Sequence, residues 1–578
     1  MLDFRTVNSL WCSLLAETLV RLGLQTAVLC PGSRSGPLTL ALARHQQIES
    51  LPILDERSAS FFALGRAKRS QRAVVLVCTS GTAAANFFPA IIEAQKSQVP
   101  LLVLTGDRPP ELRHCQAGQT IDQVKLYGTY PQWQAELALP AVDGESLGYL
   151  RQLLSYAWEK AHWPRPGVVH LNCPFREPLA PPLATPPQNL YPPLEPAHFW
   201  AMTAPFTPPA PPSGPLPGIS WSSPGLILAG LCNNGTPQSQ TQAIAALSQR
   251  LHYPVLADAL SPLRNFYTGD YALITGYDFI LRSPSWGAQL RPAIVIQVGE
   301  LPTSKILRAW LTAGDVPVYV LDPSGDNLDA RQGRSQFLRV TPLDLLRALP
   351  PQGLTEKQKN YNELWRNGEL MVQNQIRQAL TAIPPLQVSH LFAQLPALLP
   401  AHSLIMVANS MPVRYMEYFW PANQKGFIPY VNRGVNGIDG TLATALGLAH
   451  RDRPTFLLTG DLSFLHDSNS LLMAPFFRGS LTIVLLNNQG GGIFELLPVA
   501  ESTEPEIFEL YFATPQQVDF ALLCRSYGVH YEKITTYSHL GSLLAARPAL
   551  GVQVWEVPGD RRWEAQWLKD LYLQFATR

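Results

Sequence analysis

Gly460-Asp-Leu-Ser-Phe-Leu-His-Asp-Ser-Asn469, followed by Asn487-Asn-Gln-Gly-Gly-Gly-Ile-Phe494, is the part of this chain whose reading decides the fold. The runs before them, Thr455-Phe-Leu-Leu-Thr-Gly-Asp461 and Leu481-Thr-Ile-Val-Leu-Leu-Asn-Asn488, are apolar and β-branched, so each motif opens where a strand ends. Asp461 at one strand end, Asn488 one strand–helix–strand later and the carbonyl of Gly490 offer hard oxygen ligands. Such a set suits Mg²⁺, which takes few protein ligands and keeps oxygens from water and a diphosphate. The glycines allow the backbone to approach a phosphate closely.

The same order of strand, then glycine and polar residues, runs through the chain. Ala27-Val-Leu-Cys30 leads into Pro31-Gly-Ser-Arg-Ser-Gly36 and an apolar helix pattern from Pro37 to Ala43. Val74-Val-Leu-Val-Cys78 leads into Thr79-Ser-Gly-Thr82, and Leu101-Leu-Val-Leu104 ends in Thr105-Gly-Asp-Arg108. Gly225-Leu-Ile-Leu-Ala-Gly230, Ala293-Ile-Val-Ile-Gln297 and Val316-Pro-Val-Tyr-Val-Leu321 read as strands of a smaller sheet. Alternation of such runs with helical patterns predicts an α/β fold of parallel sheets flanked by helices. Ligands in these sheets gather beyond the carboxyl ends of the strands.

Pro is the one unusual count, at 53 of 578 residues. Much of the excess lies between Pro178 and Pro217, ending in Pro208-Pro-Ala-Pro-Pro-Ser-Gly-Pro-Leu-Pro217. Fixed φ and missing N–H donors predict an extended linker there. Pro350-Pro-Gln-Gly353 and Pro384-Pro385 bracket a polar helix pattern. The chain thus divides into blocks 1–180, 218–350 and 385–578, with a Pro-rich linker 181–217 and a connecting segment 351–384. Three blocks suit its length, since single cores stop growing near roughly 250–300 residues.

Composition excludes several classes. With 44 Lys+Arg against 43 Asp+Glu, the chain has no basic excess with which to neutralise nucleic-acid phosphates. It has no apolar run of about 18 residues, so membrane insertion is not expected. Charged residues make up 15% and hydrophobics 46%, which fits a surface partly covered by a partner subunit. Cys12, Cys30, Cys78, Cys115, Cys173, Cys232 and Cys524 are scattered without metal or redox spacing, and read as buried thiols in a reducing compartment. The start at Met1 lacks a basic segment followed by an apolar stretch, so a cytoplasmic location is expected.

The Gly-Asp and Asn-Asn pair at this separation resembles the metal motif of the thiamine diphosphate-dependent enzymes. That resemblance implies a three-domain fold: a pyrimidine-binding domain, a central domain and a diphosphate-binding domain, each a parallel sheet flanked by helices. It also implies that Asp461, Asn488 and the carbonyl of Gly490 hold Mg²⁺ or Mn²⁺ on the cofactor's diphosphate. Leu54-Asp-Glu-Arg-Ser-Ala-Ser-Phe-Phe-Ala-Leu-Gly-Arg-Ala-Lys68 and Thr79-Ser-Gly-Thr-Ala-Ala-Ala-Asn86 resemble the family's first domain and place its required glutamate at Glu56. There it would hydrogen-bond the aminopyrimidine ring and favour its imino tautomer, a pairing suited to proton exchange in a dry pocket. Taken alone, Glu56 reads rather as a surface ion-pair partner of Arg57 or Arg66; beside the metal motif the functional reading prevails.

A narrower resemblance rests on six segments in order. They are Cys30-Pro-Gly-Ser-Arg-Ser-Gly-Pro37, Leu104-Thr-Gly-Asp-Arg-Pro-Pro-Glu-Leu112, Ala117-Gly-Gln-Thr120, Ala408-Asn-Ser-Met-Pro-Val-Arg414, Asn432-Arg-Gly-Val-Asn-Gly-Ile-Asp-Gly440 and Gly491-Gly-Ile-Phe494. Together they resemble the 2-succinyl-5-enolpyruvyl-6-hydroxy-3-cyclohexene-1-carboxylate synthases of menaquinone and phylloquinone synthesis. The resemblance implies decarboxylation of 2-oxoglutarate and addition of the succinyl unit to isochorismate. Both substrates are dicarboxylates, and forked cationic donors suit them.

Carried over by motif, isochorismate would meet Ser33, Arg34, Arg108, Gln119 and Lys305, while Ser410, Arg414 and Arg433 would serve 2-oxoglutarate. With Glu56, these last three form the expected catalytic set. Cofactor contacts would fall on Glu56, Thr79, Gly81, Asn86, Ser410, Met411, Gly437, Ile438, Asp461, Leu462, Ser463, Asn488, Gly490, Gly491, Gly492 and Ile493. Ile438 would bend the cofactor, and Ile493, Phe494 and Leu497 would form an apolar wall. Ser410 and Arg414, four apart beside Pro412, could share one helical face.

Two positions depart from the pattern: Gly118 stands where some relatives carry Asn, and Ile306 follows Lys305 where an Arg can occur. His466 reads as a structural hydrogen-bonder. The expected assembly is a homodimer, or a tetramer built as a dimer of dimers. Other readings on the same plan are a 2-oxo acid decarboxylase, an acetohydroxyacid synthase or an inactive scaffold.

Overall fold

The computed structural model describes residues 2–183, 194–205, 219, 221–232, 236–351 and 353–577. Of the expected extended linker 181–217, residues 184–193 and 206–217 lie outside the described residues. The described part corrects the expectation: Pro196–Phe199 forms a short helix, and Trp200 is buried with its Nε1 donating to the Thr18 hydroxyl at 2.9 Å. The β-branched runs form strands, and among the described residues these assemble into three six-stranded parallel sheets. In the first sheet are β1 (Thr26–Leu29), β2 (Glu49–Pro52), β3 (Val74–Cys78), β4 (Leu101–Asp107), β5 (Trp133–Glu136) and β6 (Val168–Pro174), in the order β2-β1-β3-β4-β6-β5. The second contains β7 (Gly225–Ala229), β8 (Val255–Ala257), β9 (Leu273–Ile274), β10 (Ile294–Val298), β11 (Val318–Leu321) and β12 (Ser335–Leu338), ordered β12-β11-β10-β7-β8-β9. The third contains β13 (Leu404–Val407), β14 (Ile428–Tyr430), β15 (Thr455–Gly460), β16 (Ser480–Asn487), β17 (His530–Lys533) and β18 (Gly551–Pro558), ordered β14-β13-β15-β16-β18-β17. Inner strands such as β1, β3 and β13 are buried along their whole length, which is why they read as continuous apolar runs.

The strand orders fix where ligands can enter. In the first sheet the chain leaves β1 for β2 on one side and then returns to β3 on the other, so a crevice opens beyond the ends of β1 and β3. The third sheet repeats this at β13 and β15. The segments Pro31–Gly36, Thr79–Thr82, Asn409–Ser410 and Asp461–Ser463 lie directly after those four strands.

Two compact units result. The first takes the described residues within Met1–Pro209 together with Asn432–Asp452 and His466–Arg478. It holds the first sheet, and its helix Glu56–Ser70 packs against the helix Thr441–Ala449, which is buried all round. Their backbones nearly touch: a Cβ on Gly65 would lie 2.2 Å from the Thr444 carbonyl oxygen, and one on Gly447 2.2 Å from that of Phe62. Gly447→Ala forces the helices apart, so we expect a loss of about 1–3 kcal/mol from overpacking, read as a lower thermal unfolding midpoint.

The second unit takes the described residues within Ala210–Val431 together with Arg453–Leu465 and Gly479–Arg578. The second and third sheets share one apolar core there, which includes Trp365, Trp420 and Trp555. Buried Arg264 pairs with Glu417 at 3.0 Å and donates to the carbonyls of Ala257 and Glu417, tying the helix Met411–Phe419 to the second sheet. Among the described residues, no helix is long and apolar enough to cross a membrane. The thiols correct one expectation: Cys12, Cys30, Cys78, Cys173 and Cys524 are buried, Cys232 is half-buried, and Cys115 is exposed. Cys115 lies in the loop between the Pro110–Leu112 turn and β5.

Candidate active site

In the first unit two arginines converge at the strand ends. Arg34, after β1, is buried; its Nη1 donates to the Phe175 carbonyl at 2.9 Å, and its Nη2 lies 3.4 Å from a Glu177 carboxylate oxygen. Its Nε is buried without a hydrogen-bond partner among the described residues. Arg108, after β4, donates Nη1 to the Ser80 hydroxyl and to the Gln119 carbonyl. Burial first, and then the charge of Arg34, lower the Arg108 pKa. Two cations this close suit an anion such as a carboxylate, a place that Glu177 partly takes beside Arg34.

The loops around this pair are cross-braced. Gln119 donates Nε2 to the Ser80 carbonyl at 2.9 Å. Buried Gln123 accepts from the Gly81 N–H at 2.8 Å and donates to the Gly106 carbonyl and to Asn172. Ser33 and Gln119 are exposed, as a ligand contact requires. At Gly118, a Cβ would meet nothing within 4 Å, so the departure from Asn leaves open space beside Gln119.

Glu56 opens the helix Glu56–Ser70, capped by Asp55, whose side chain accepts from the N–H groups of Arg57 and Ser58. Burial raises the Cys30 and Cys78 thiols well above the ordinary range, and the charge of Glu56 adds to the rise at both. The Glu56 carboxylate therefore lies near the ends of β1 and β3. Thr79 is buried there with its hydroxyl unpartnered among the described residues, a polar atom available to a bound ring. Asn86 ends the short helix Thr82–Asn86 and is exposed. Arg433, Gly437 and Ile438 belong to this unit too, in the half-buried loop before the helix Thr441–Ala449.

The second unit holds the metal motif. Asp461 is buried at the end of β15, with one oxygen accepting from the Leu462 N–H at 2.9 Å and the other from the Gly490 N–H at 2.7 Å. Burial pushes its pKa up to about 6, the mark of a carboxylate that lacks a strong counter-charge. Asn488 covers Gly492 so closely that a Cβ there would sit 2.6 Å from the amide nitrogen. Gly490 has φ of 128°, and its carbonyl accepts from the Gly492 N–H, keeping a second lone pair for another partner.

Among the described residues no three His, Cys, Asp or Glu side chains gather around one point. The donor set here is one carboxylate, one amide and one carbonyl, which fits Mg²⁺ or Mn²⁺ completed by diphosphate and water oxygens. Leu462, buried Ser463, buried Gly491 and half-buried Ile493, Phe494 and Leu497 surround this motif in sequence. Arg561, invisible to motif reasoning, clamps the loop by donating to the Gln489 carbonyl at 2.7 Å and pairing with Glu495 and Glu509. No local signal could have found it, since it arrives on the C-terminal helix Arg561–Ala576.

Ser410 is a backbone outlier after β13, with φ 70° and ψ −130°. A non-glycine residue held there costs about 1–3 kcal/mol, and such strain concentrates at functional sites. Buried Met411 follows, and Arg414 donates to the Ser410 backbone carbonyl at 2.6 Å; Ser410 itself stands before the helix Met411–Phe419 rather than on a face shared with Arg414. Lys305 is exposed at the start of the helix Lys305–Ala313, while Arg308 turns back to the Pro302 carbonyl. The His466 reading is corrected: its ring is exposed, and its backbone carbonyl accepts from Arg57. Fully buried Asp467 makes the structural bonds instead, accepting from the Ala443 N–H and from Ser470.

Family comparisons divide the chain into three matches. Residues 12–126 match the thiamine pyrophosphate enzyme N-terminal TPP binding domain, 221–406 the middle domain of thiamine pyrophosphate enzymes, and 410–550 the C-terminal TPP binding domain. The chain is 52% identical to a 2-succinyl-5-enolpyruvyl-6-hydroxy-3-cyclohexene-1-carboxylate synthase of Synechocystis sp., covering 100% of this chain and 99% of that one. It is 49% identical to the enzyme so named from Microcystis aeruginosa, covering 99% and 100%. A solved thiamine diphosphate-dependent 4-hydroxybenzoylformate decarboxylase from Rhodococcus jostii RHA1 shares the fold, with TM-score 0.68 at 17% identity over 95% of this chain and 99% of that one.

Proposed function

This chain belongs to the 2-succinyl-5-enolpyruvyl-6-hydroxy-3-cyclohexene-1-carboxylate synthases, thiamine diphosphate-dependent transferases, and from that premise we propose how its residues share the reaction. The reaction decarboxylates 2-oxoglutarate and adds the remaining succinyl unit to isochorismate, a step of menaquinone and phylloquinone synthesis. Thiamine diphosphate, when bound, supplies the carbon nucleophile and electron sink that the decarboxylation requires.

The protein's part is binding, orientation and proton placement. Asp461, Asn488 and the Gly490 carbonyl would hold Mg²⁺ or Mn²⁺ against the diphosphate, with Leu462, Ser463, Gly491 and Gly492 alongside. Glu56 would hold a proton at the ring nitrogen of the aminopyrimidine, beside Thr79, Gly81 and Asn86. Ile438 and Met411 would support the rings, with Gly437 giving room. Ser410, Arg414 and Arg433 would receive 2-oxoglutarate, and Ile493, Phe494 and Leu497 would exclude water. The working unit would be a cytoplasmic homodimer, alone or paired into a tetramer.

The acceptor assignment rests on the opposed pair Arg34 and Arg108 with its unused Nε. Isochorismate carries two carboxylates, and Ser33, Gln119 and Lys305 would add neutral and cationic donors. The direct test is incubation with thiamine diphosphate, Mg²⁺, 2-oxoglutarate and isochorismate, following CO₂ and product mass. Release of CO₂ without the adduct would overturn the acceptor.

Arg34→Lys keeps the charge but loses the planar fork. We expect kcat/KM for isochorismate to fall by about 10–100-fold, the cost of losing an oriented charged contact of about 1.5–3 kcal/mol. Release of CO₂ from 2-oxoglutarate alone should stay near wild type. Equal damage to both steps would move Arg34 to the donor side.

A further inference from the structure

We propose that Glu93 is a positioning residue that sets Arg433 for 2-oxoglutarate, an inference resting on the role of Arg433 given above. Glu93 is 2% exposed, on the helix Phe88–Lys96, far in sequence from the loop that carries Arg433. One of its oxygens accepts from the Gly434 N–H at 3.0 Å and the other from the Val435 N–H at 2.9 Å. Two consecutive backbone donors turned into one carboxylate fix the path of the loop at that point.

The preceding side of Arg433 is fixed as well. Lys68 lies 3.5 Å from Glu93, balancing its charge, and donates to the Asn432 side-chain carbonyl at 3.0 Å. The Asn432 amide then donates to the Thr444 hydroxyl at 2.9 Å. Gly434 presses on the helix end, where a Cβ would lie 2.8 Å from the Glu93 carbonyl oxygen. Arg433 therefore springs from a backbone held on both sides, and the direction of its Cα–Cβ bond is set by groups that do not touch substrate.

A buried carboxylate carries a desolvation cost that a neutral side chain would avoid. Here it is spent on the one loop that carries Arg433, Gly437 and Ile438. A displacement of about 1 Å in a binding group can cost up to about 10²-fold in rate. The clamp is thus suited to keeping a guanidinium aimed at a small dicarboxylate.

The test uses the full-length holoenzyme. Glu93→Gln keeps the shape but turns an NH₂ toward one of the two loop N–H groups. We expect kcat/KM for 2-oxoglutarate to fall about 10–100-fold, with KM for isochorismate changed by less than about twofold and the unfolding midpoint recorded alongside. Arg433→Ala should show the same selective loss, and the double variant should be no worse than Arg433→Ala alone. Equal loss toward both substrates, or losses that add in the double variant, overturn the positioning role while leaving Arg433 in place. Unchanged use of 2-oxoglutarate by Arg433→Ala overturns the role of Arg433, and the positioning role with it. Lys68→Gln, which keeps a donor toward Asn432 but removes the balancing charge, should show the same selective split and gives the answer if Glu93→Gln does not fold.

Discussion

Glu56→Gln should lower turnover by about 10²–10⁴, the usual worth of a positioned acid–base group. The substitution preserves size and hydrogen-bonding reach but removes the proton that the carboxyl exchanges with the ring nitrogen. It should leave the fold alone, because the cap of that helix is Asp55, which keeps its bonds to Arg57 and Ser58. Cofactor affinity should also survive, since the proposed diphosphate anchor at Asp461 lies in the other compact unit. Steady-state CO₂ release and calorimetric titration with thiamine diphosphate separate the two effects. Turnover within a few-fold of wild type would remove Glu56 from the chemistry.

Mixing two inactive variants should restore activity to roughly a quarter of wild type if the site is shared between subunits of a two-fold dimer. The variants are Glu56→Gln and Asp461→Ala, one lesion on each half of the cofactor site. With a shared site, a mixed dimer gathers both lesions in one site and neither in the other. Random reassociation makes half the dimers mixed, each with one intact site of two. A site built within one chain would keep one lesion everywhere, and mixing would restore nothing. Subunit exchange confirmed by mass, with activity still absent, would rule out the shared site.

Much of this architecture was legible because parallel strands buried on both faces leave continuous apolar runs, such as Val74–Cys78 and Leu481–Leu486. Asp461, Asn488 and Gly490 were legible because they stand directly after such runs. The supports were not. Glu93 and Arg561 reach their loops from helices distant in the chain, and Gln123 from the irregular segment after Thr120; a lone Glu, Gln or Arg carries no local signature. The conformation of Ser410 is equally silent, since serine does not advertise a positive φ as glycine does. His466 misled because its neighbour Asp467 points into the unit instead. The sequence blocks also ran straight past the helix Thr441–Ala449, whose apolar residues suit any core but pack with the first sheet's unit.

That helix has a consequence for biosynthesis. The face of Glu56–Ser70 that it covers, with Phe61, Phe62 and Gly65, leaves the ribosome roughly 370 residues before its partner does. At ~5–20 residues per second the gap is about 20–70 s. Throughout that interval the nascent first block displays an apolar stripe flanked by bare glycine backbone, a natural hold for chaperones. A fragment cut at the linker would keep the stripe uncovered for good, so the amino-terminal block should be a poor candidate for expression as a free-standing piece.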